Sequence, residues 1–140
     1  MLASANVNEN SFYPELGCYG LAGHTASPRD LLDEVRLAER MHAGLSAIDG
    51  IRLLGDAPGA ERVGLWSFDV DGVHAHDAGQ FLDARGIAVR VGHHCAAPLH
   101  RRFGMTASVR ASLALYNTDE DVDTFLDAVA GIRPYFGADA

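Results

Sequence analysis

Apolar and polar positions alternate in three short stretches of this chain and recur at helical spacing in three others. From residue 31, Leu31, Val35, Ala38, Met41, Leu45 and Ile48 follow each other at intervals of three or four, the spacing of one apolar helix face. Ser27 and Pro28 suit the start of that helix as cap and first-turn residue, with Asp30 in support, and Asp49-Gly50 ends it. A second helix is predicted over 75–85, with Ala78, Phe81 and Leu82 inward and Gly86 as its stop. A third begins at Thr118, with Asp121 three residues on, and turns Val122, Phe125, Leu126 and Val129 to the core.

Period-2 patterning marks the strands. Residues 51–54 form a short apolar run ahead of the turn cluster at 55–59, and residues 63–70 place Trp66, Phe68 and Val70 on one face. Residues 87–91 send Ile87, Val89 and Val91 one way and Ala88 and Arg90 the other. Residues 108–115 send Val109, Ala111, Leu113 and Leu115 inward and Arg110 and Ser112 outward. About four short amphipathic strands are too few for a large buried parallel sheet. The expected class is α/β in the two-layer, α+β sense: a small, mostly antiparallel sheet with helices on one face. Its other face carries Arg90, Arg110 and Ser112, which need a use or a cover. Residues 1–27 show no sustained period and read as an irregular leader; residues 28–140 form the domain.

Composition narrows the function classes. The chain has 140 residues, 48% of them apolar, enough for one domain with a core. A net charge of −8 argues against a general nucleic-acid or anionic-membrane binder. There is no apolar run long enough to span a bilayer and no signal-peptide pattern, so the expected setting is cytoplasmic and reducing. Two distant cysteines, Cys18 and Cys95, make neither a disulfide framework nor a CxxC motif. All 11 basic residues are arginine; the chain contains no lysine.

The chemistry concentrates in RVGHHCAAPLHRRFG, residues 90–104. A thiolate is the reactive form of cysteine, and nearby cations favour it. Arg90, His93, His94 and His100 are candidate cations or proton acceptors around Cys95. Two other readings stand beside a reactive thiol. One is a buried structural cysteine whose histidine neighbours are satisfied by the backbone. The other is a metal site, which would need His74 and His76 to swing in and lacks a recognised zinc spacing. Arg110, on the outward face of its strand, suits bidentate capture of a carboxylate. Pairing with one of the 19 acidic residues is the alternative.

Three runs together carry a family resemblance: GIAVRVGHHCAAPL from Gly86, Arg102-Phe-Gly, and RASLALYNT from Arg110. They resemble the C-terminal part of the group II, SufS-type cysteine desulfurases of the class V aminotransferase superfamily. The segment Gly72-Val-His-Ala-His-Asp resembles the same family's GVHPHD stretch. The resemblance covers residues 30–132 and is strongest over 63–118. It implies the small C-terminal domain of a fold-type I enzyme that uses pyridoxal phosphate to take sulfur from L-cysteine, leaving alanine, for iron–sulfur cluster assembly. By position, Cys95 resembles the nucleophile that becomes a persulfide, Arg110 the arginine that holds the substrate carboxylate, and Arg90 an arginine near the active-site mouth. His93 and His94 belong to the family's loop.

The family also needs a lysine on a large N-terminal domain to hold the cofactor as a Schiff base. Without an amine side chain, this chain alone is not expected to bind pyridoxal phosphate covalently or to be active. The expected partners are L-cysteine, a complementing large domain or a second copy of the chain, and a sulfur-acceptor protein. The competing expectations are a non-enzymatic sulfur carrier or interaction module, and an inert truncated remnant.

Overall fold

In the computed structural model, the described residues are 28–55, 64–114 and 116–138. The predictions for the leader, for Ser27, for the turn at 56–59 and for Val63 and Leu115 lie outside them. The elements run α1 (Pro28–Ala47), β1 (Ile51–Leu53), β2 (Leu65–Val70), α2 (Ala75–Asp83), β3 (Arg90–Gly92), α3 (Ala97–Arg102), β4 (Ser108–Ser112), α4 (Asp119–Ala130) and α5 (Ile132–Phe136).

The four strands form one sheet in the order β1-β2-β4-β3, antiparallel at every pairing. Alternation along each strand decides what faces what. Trp66, Phe68 and Val70 on β2 and Val109 and Ala111 on β4 are buried against the helices. α1 contributes Leu37, Met41 and Leu45, α2 contributes Ala78, Phe81 and Leu82, and α4 contributes Val122, Phe125 and Val129 to the same core. Phe68 meets Phe125 edge to face, with ring centroids 6.2 Å apart. Burying a side chain such as Phe68 or Leu82 contributes about 1.5–3 kcal/mol relative to leaving it in water. This is the two-layer arrangement that the periodicity predicts.

Three details differ from the pattern. Val35 is 40% exposed while Leu37 is buried, because the α1 stripe is centred on Leu37, Met41 and Leu45 and leaves Val35 outside it. Ile87 and Val89 pack against the core as their alternation predicts, yet only Arg90–Gly92 joins the ladder. The Ile87 amide instead donates to the Leu82 carbonyl, tying that stretch to the end of α2. The third is α3, a six-residue helix with Pro98 in its first turn. It lies against the sheet face opposite the long helices, where His100 reaches the outward Ser108.

α1 and α4 are clasped at their surface. Arg36 forks onto Asp119, and Arg40 onto Asp123 at 2.6 and 2.7 Å. Thr118 caps α4 in a reciprocal capping box with Asp121. Among the described residues no helix is long and apolar enough to cross a membrane.

Candidate functional site

β3 delivers the chain to its loop through Gly92, whose φ of +134 lies where side-chain-bearing residues rarely go. After His93 the backbone is left-handed at two consecutive residues: His94 has φ +52 and Cys95 has φ +61. The Ala96 amide donates to the His93 carbonyl at 2.7 Å, closing a four-residue turn with His94 and Cys95 at its centre. Two positive φ values at the centre are the mark of a type I′ turn, normally built from Asn and Gly. For residues with a Cβ, each costs roughly 1–2 kcal/mol. The fold holds this turn against that strain, and Cys95 stands exposed at its tip.

Ser108, the first residue of β4, is the anchor. It is the backbone partner of Gly92 across the β3–β4 ladder. The His94 Nε2–H donates to the Ser108 carbonyl at 3.2 Å. His100 Nδ1–H donates to the Ala96 carbonyl at 3.0 Å, and its Nε2 lies 2.9 Å from the Ser108 hydroxyl. A carbonyl only accepts, so Nδ1 of His100 carries a proton, and in the neutral ring Nε2 accepts from the hydroxyl. His93 is exposed, with its ring edge-on to His100 at 6.1 Å.

The electrostatics set His94 apart. Burial pushes His94 below its ordinary value, the Ser108 carbonyl opposes this, and the charges of Arg110, His100 and Arg90 push it further down. With Nε2 protonated toward Ser108, the neutral ring keeps its lone pair on Nδ1. Of the two roles open to it by sequence, His94 therefore fits proton acceptor and not cation. The cations are Arg90 and Arg110, direct partners on the open face of the sheet. Among the described residues neither is joined to a carboxylate. On the same face Arg52 pairs with Asp69 at 3.0 Å and also donates to the Phe103 carbonyl at the end of α3.

The structure thus brings Cys95, His94, Arg90 and Arg110 to one end of the open face, with His93 at the rim. His74 and His76 stack on each other at 5.2 Å at the start of α2, where the His74 ring caps the His76 amide. Among the described residues no group of three or more His, Cys, Asp or Glu side chains is placed to hold a metal ion. Sequence reasoning passed over Ser108 and gave His100 no position. Their signals were present: Ser108 occupies an outward position of an alternating strand, and Pro98 and Gly104 bracket a short helix.

The donor set of this site is a thiol, imidazoles and guanidiniums. None forms a Schiff base with an aldehyde, and the chain has no lysine elsewhere. A covalently held pyridoxal phosphate does not fit the residues of this chain.

Comparison with known proteins identifies the family. Residues 30–125 match the family model described as aminotransferase class-V. The chain is 55% identical over 94 residues to probable cysteine desulfurase 2 of Mycobacterium leprae, covering 67% of this chain and 22% of that protein. It is 45% identical over 103 residues to a cysteine desulfurase of Haloferax volcanii, covering 74% and 24%. Among solved structures, the cysteine desulfurase CsdA (S-sulfonic acid) from Escherichia coli superposes with a TM-score of 0.69 at 33% identity, over 82% of this chain and 28% of that one. The apo cysteine desulfurase from Thermococcus onnurineus gives 0.68 at 36%, over 74% and 26%. The chain therefore spans about a quarter of the length of the proteins it matches. On its fold, its motifs and these matches, the chain belongs to the aminotransferase class-V family.

Proposed function

We propose that this chain is the thiol-bearing part of a group II cysteine desulfurase, working in the cytoplasm with a lysine-bearing large domain that holds pyridoxal phosphate. The GHHCA loop and the RASLALYNT strand support the group II assignment. Cys95 Sγ takes the sulfur of L-cysteine: an S–S bond forms at Cys95 as the substrate C–S bond breaks, and the carbon fragment leaves as alanine once protonated. Arg110 holds the substrate carboxylate through its fork of donors. Arg90 beside it adds positive charge at the mouth, and His94 and His93 frame the loop. The persulfide then passes to an acceptor protein for iron–sulfur cluster assembly. A second copy of the chain is a further candidate partner, but it brings no lysine to the site.

The observation that carries this reading is the exposed thiol on a strained turn beside two guanidiniums that have no carboxylate partner among the described residues. An anionic substrate with an electrophilic sulfur satisfies both. The exposure of Cys95 also favours a second reading, a sulfur carrier loaded by a persulfide donor with no cofactor chemistry of its own.

Mixing the chain with a lysine-bearing large domain from a desulfurase relative, pyridoxal phosphate and L-cysteine separates the two. The first reading expects alanine only when both polypeptides are present, and none with Cys95→Ser. A carrier gains sulfur from a small-molecule persulfide but adds nothing to alanine formation by the large domain.

A further inference from the structure

We infer that His100 is a positioning residue for the Cys95 thiol, holding it in register with Arg110 through the buried hydrogen bond between His100 and Ser108. The inference rests on the proposed function and adds a residue that the motif comparison does not single out.

His100 is 2% exposed and Ser108 is fully buried, on a face of the sheet that is otherwise open. A buried imidazole is tolerated where both nitrogens are satisfied. Here both are, and each serves the thiol loop. Nδ1 holds the Ala96 carbonyl, immediately after Cys95, and Nε2 meets the hydroxyl of Ser108. Ser108 in turn is two residues from Arg110 on the same strand and the same face, and is the ladder partner of Gly92. The chain from Gly92 through the turn and α3 thus closes on itself at Ser108. A turn with two consecutive left-handed residues relaxes when its supports are removed. Removing the His100 ring leaves the Ser108 hydroxyl without that partner and the Ala96 carbonyl with the His100 backbone amide as its remaining donor, and releases the side-chain tie between α3 and β4 given by these residues. Cys95 then loses its fixed place relative to Arg110.

A merely structural histidine would change stability alone. A positioning one changes how the thiol distinguishes a carboxylate-bearing reagent from its neutral counterpart. The test uses the full chain with Cys18→Ser, so that one thiol reports, and compares alkylation of Cys95 by iodoacetate and by iodoacetamide. Arg110→Ala is expected to lower the iodoacetate-to-iodoacetamide rate ratio. His100→Ala and Ser108→Ala, which cut the same bond from its two ends, are expected to lower it by about fivefold, equivalent to about 1 kcal/mol. The double variant is expected to lose no more than either single one. His100→Gln, whose amide reaches the position of Nε2, restores the ratio.

If His100→Ala does not fold, Ser108→Ala, the smaller change, decides the outcome. An unchanged ratio in Ser108→Ala, with Arg110→Ala lowering it, overturns the role of His100 and leaves the function standing. An unchanged ratio in Arg110→Ala overturns the carboxylate reading of Arg110, and this inference with it.

Discussion

Arg90 and Arg110 face each other directly across the β3–β4 ladder, on the side of the sheet that the long helices leave open. Like charges in directly opposed positions destabilise a sheet. Arg36 is matched with Asp119, Arg40 with Asp123 and Arg52 with Asp69. Arg90 and Arg110 keep this like-charge pairing next to the thiol loop, and under the proposed function the substrate carboxylate relieves it.

Removing one partner should therefore separate stability from substrate capture. Arg110→Ala is expected to leave the urea midpoint unchanged or raise stability by about 0.2–1 kcal/mol. In the complemented enzyme the same variant raises KM for L-cysteine. Arg110→Lys keeps the charge but loses the fork, so KM stays raised. A drop in stability with unchanged KM would mean that Arg110 serves the fold.

His94 makes the loop sensitive to acid. Burial first, then the neighbouring positive charges, holds its ring below the ordinary value of 6.5. The folded chain consequently takes up a proton less readily than the unfolded one. The stability linked to the neutral ring is complete above the unfolded value and is lost as pH falls below it. An NMR titration of the ring should give a midpoint below 6.5. His94→Gln keeps a donor for the Ser108 carbonyl without titrating and should flatten the pH dependence of stability in that window. A midpoint above 6.5 would place a cation there instead.

The α4 end of the fold responds at lower pH. Asp119 is held below the usual carboxylate value by its hydrogen bonds from Arg36, and Asp121 by the Thr118 amide it accepts in the capping box. Both stabilise the fold above their unfolded values, and the contribution disappears as pH falls through the lowered ones. Thr118→Ala should cost about 1 kcal/mol, read as a shift of the urea midpoint at neutral pH. Asp121→Asn should reduce the loss of stability on acidification; an acid limb identical to the parent's would remove the capping box from the account.

Gly92 tests the turn itself. At its φ of +134 any side chain is strained, whatever the space around it. Gly92→Ala should cost about 1–3 kcal/mol and slow the reaction of Cys95 by displacing the turn. A variant with the parent's stability would show that the loop enters by another backbone path.

Much of this architecture is legible in one dimension, and the limits have physical causes. Trp66, Phe68 and Val70 alternate cleanly, and Thr118 with Asp121 announces a helix start, because both signals are local. Arg110 could be placed on the outward face from the strand period alone. The relation between His100 and Ser108 could not. It joins residues eight apart across a helix of six residues, too short to show a period, and depends on α3 folding back over a sheet face. Val35 was assigned to the core of α1 because it keeps helical spacing with Ala38, while Leu37, one position earlier, holds the centre of the buried stripe. Spacing identified the face but not its centre.

The central claim is that these residues supply the sulfur-accepting thiol and a lysine-bearing large domain supplies the amine that anchors the cofactor. It is tested most directly by mass spectrometry of Cys95 after incubation with L-cysteine and pyridoxal phosphate, with and without a lysine-bearing large domain. The account predicts a gain of one sulfur atom on Cys95, with alanine released, only when the large domain is present. Alanine from this chain alone, or sulfur on Cys18 with Cys95 unmodified in the complemented mixture, would contradict it.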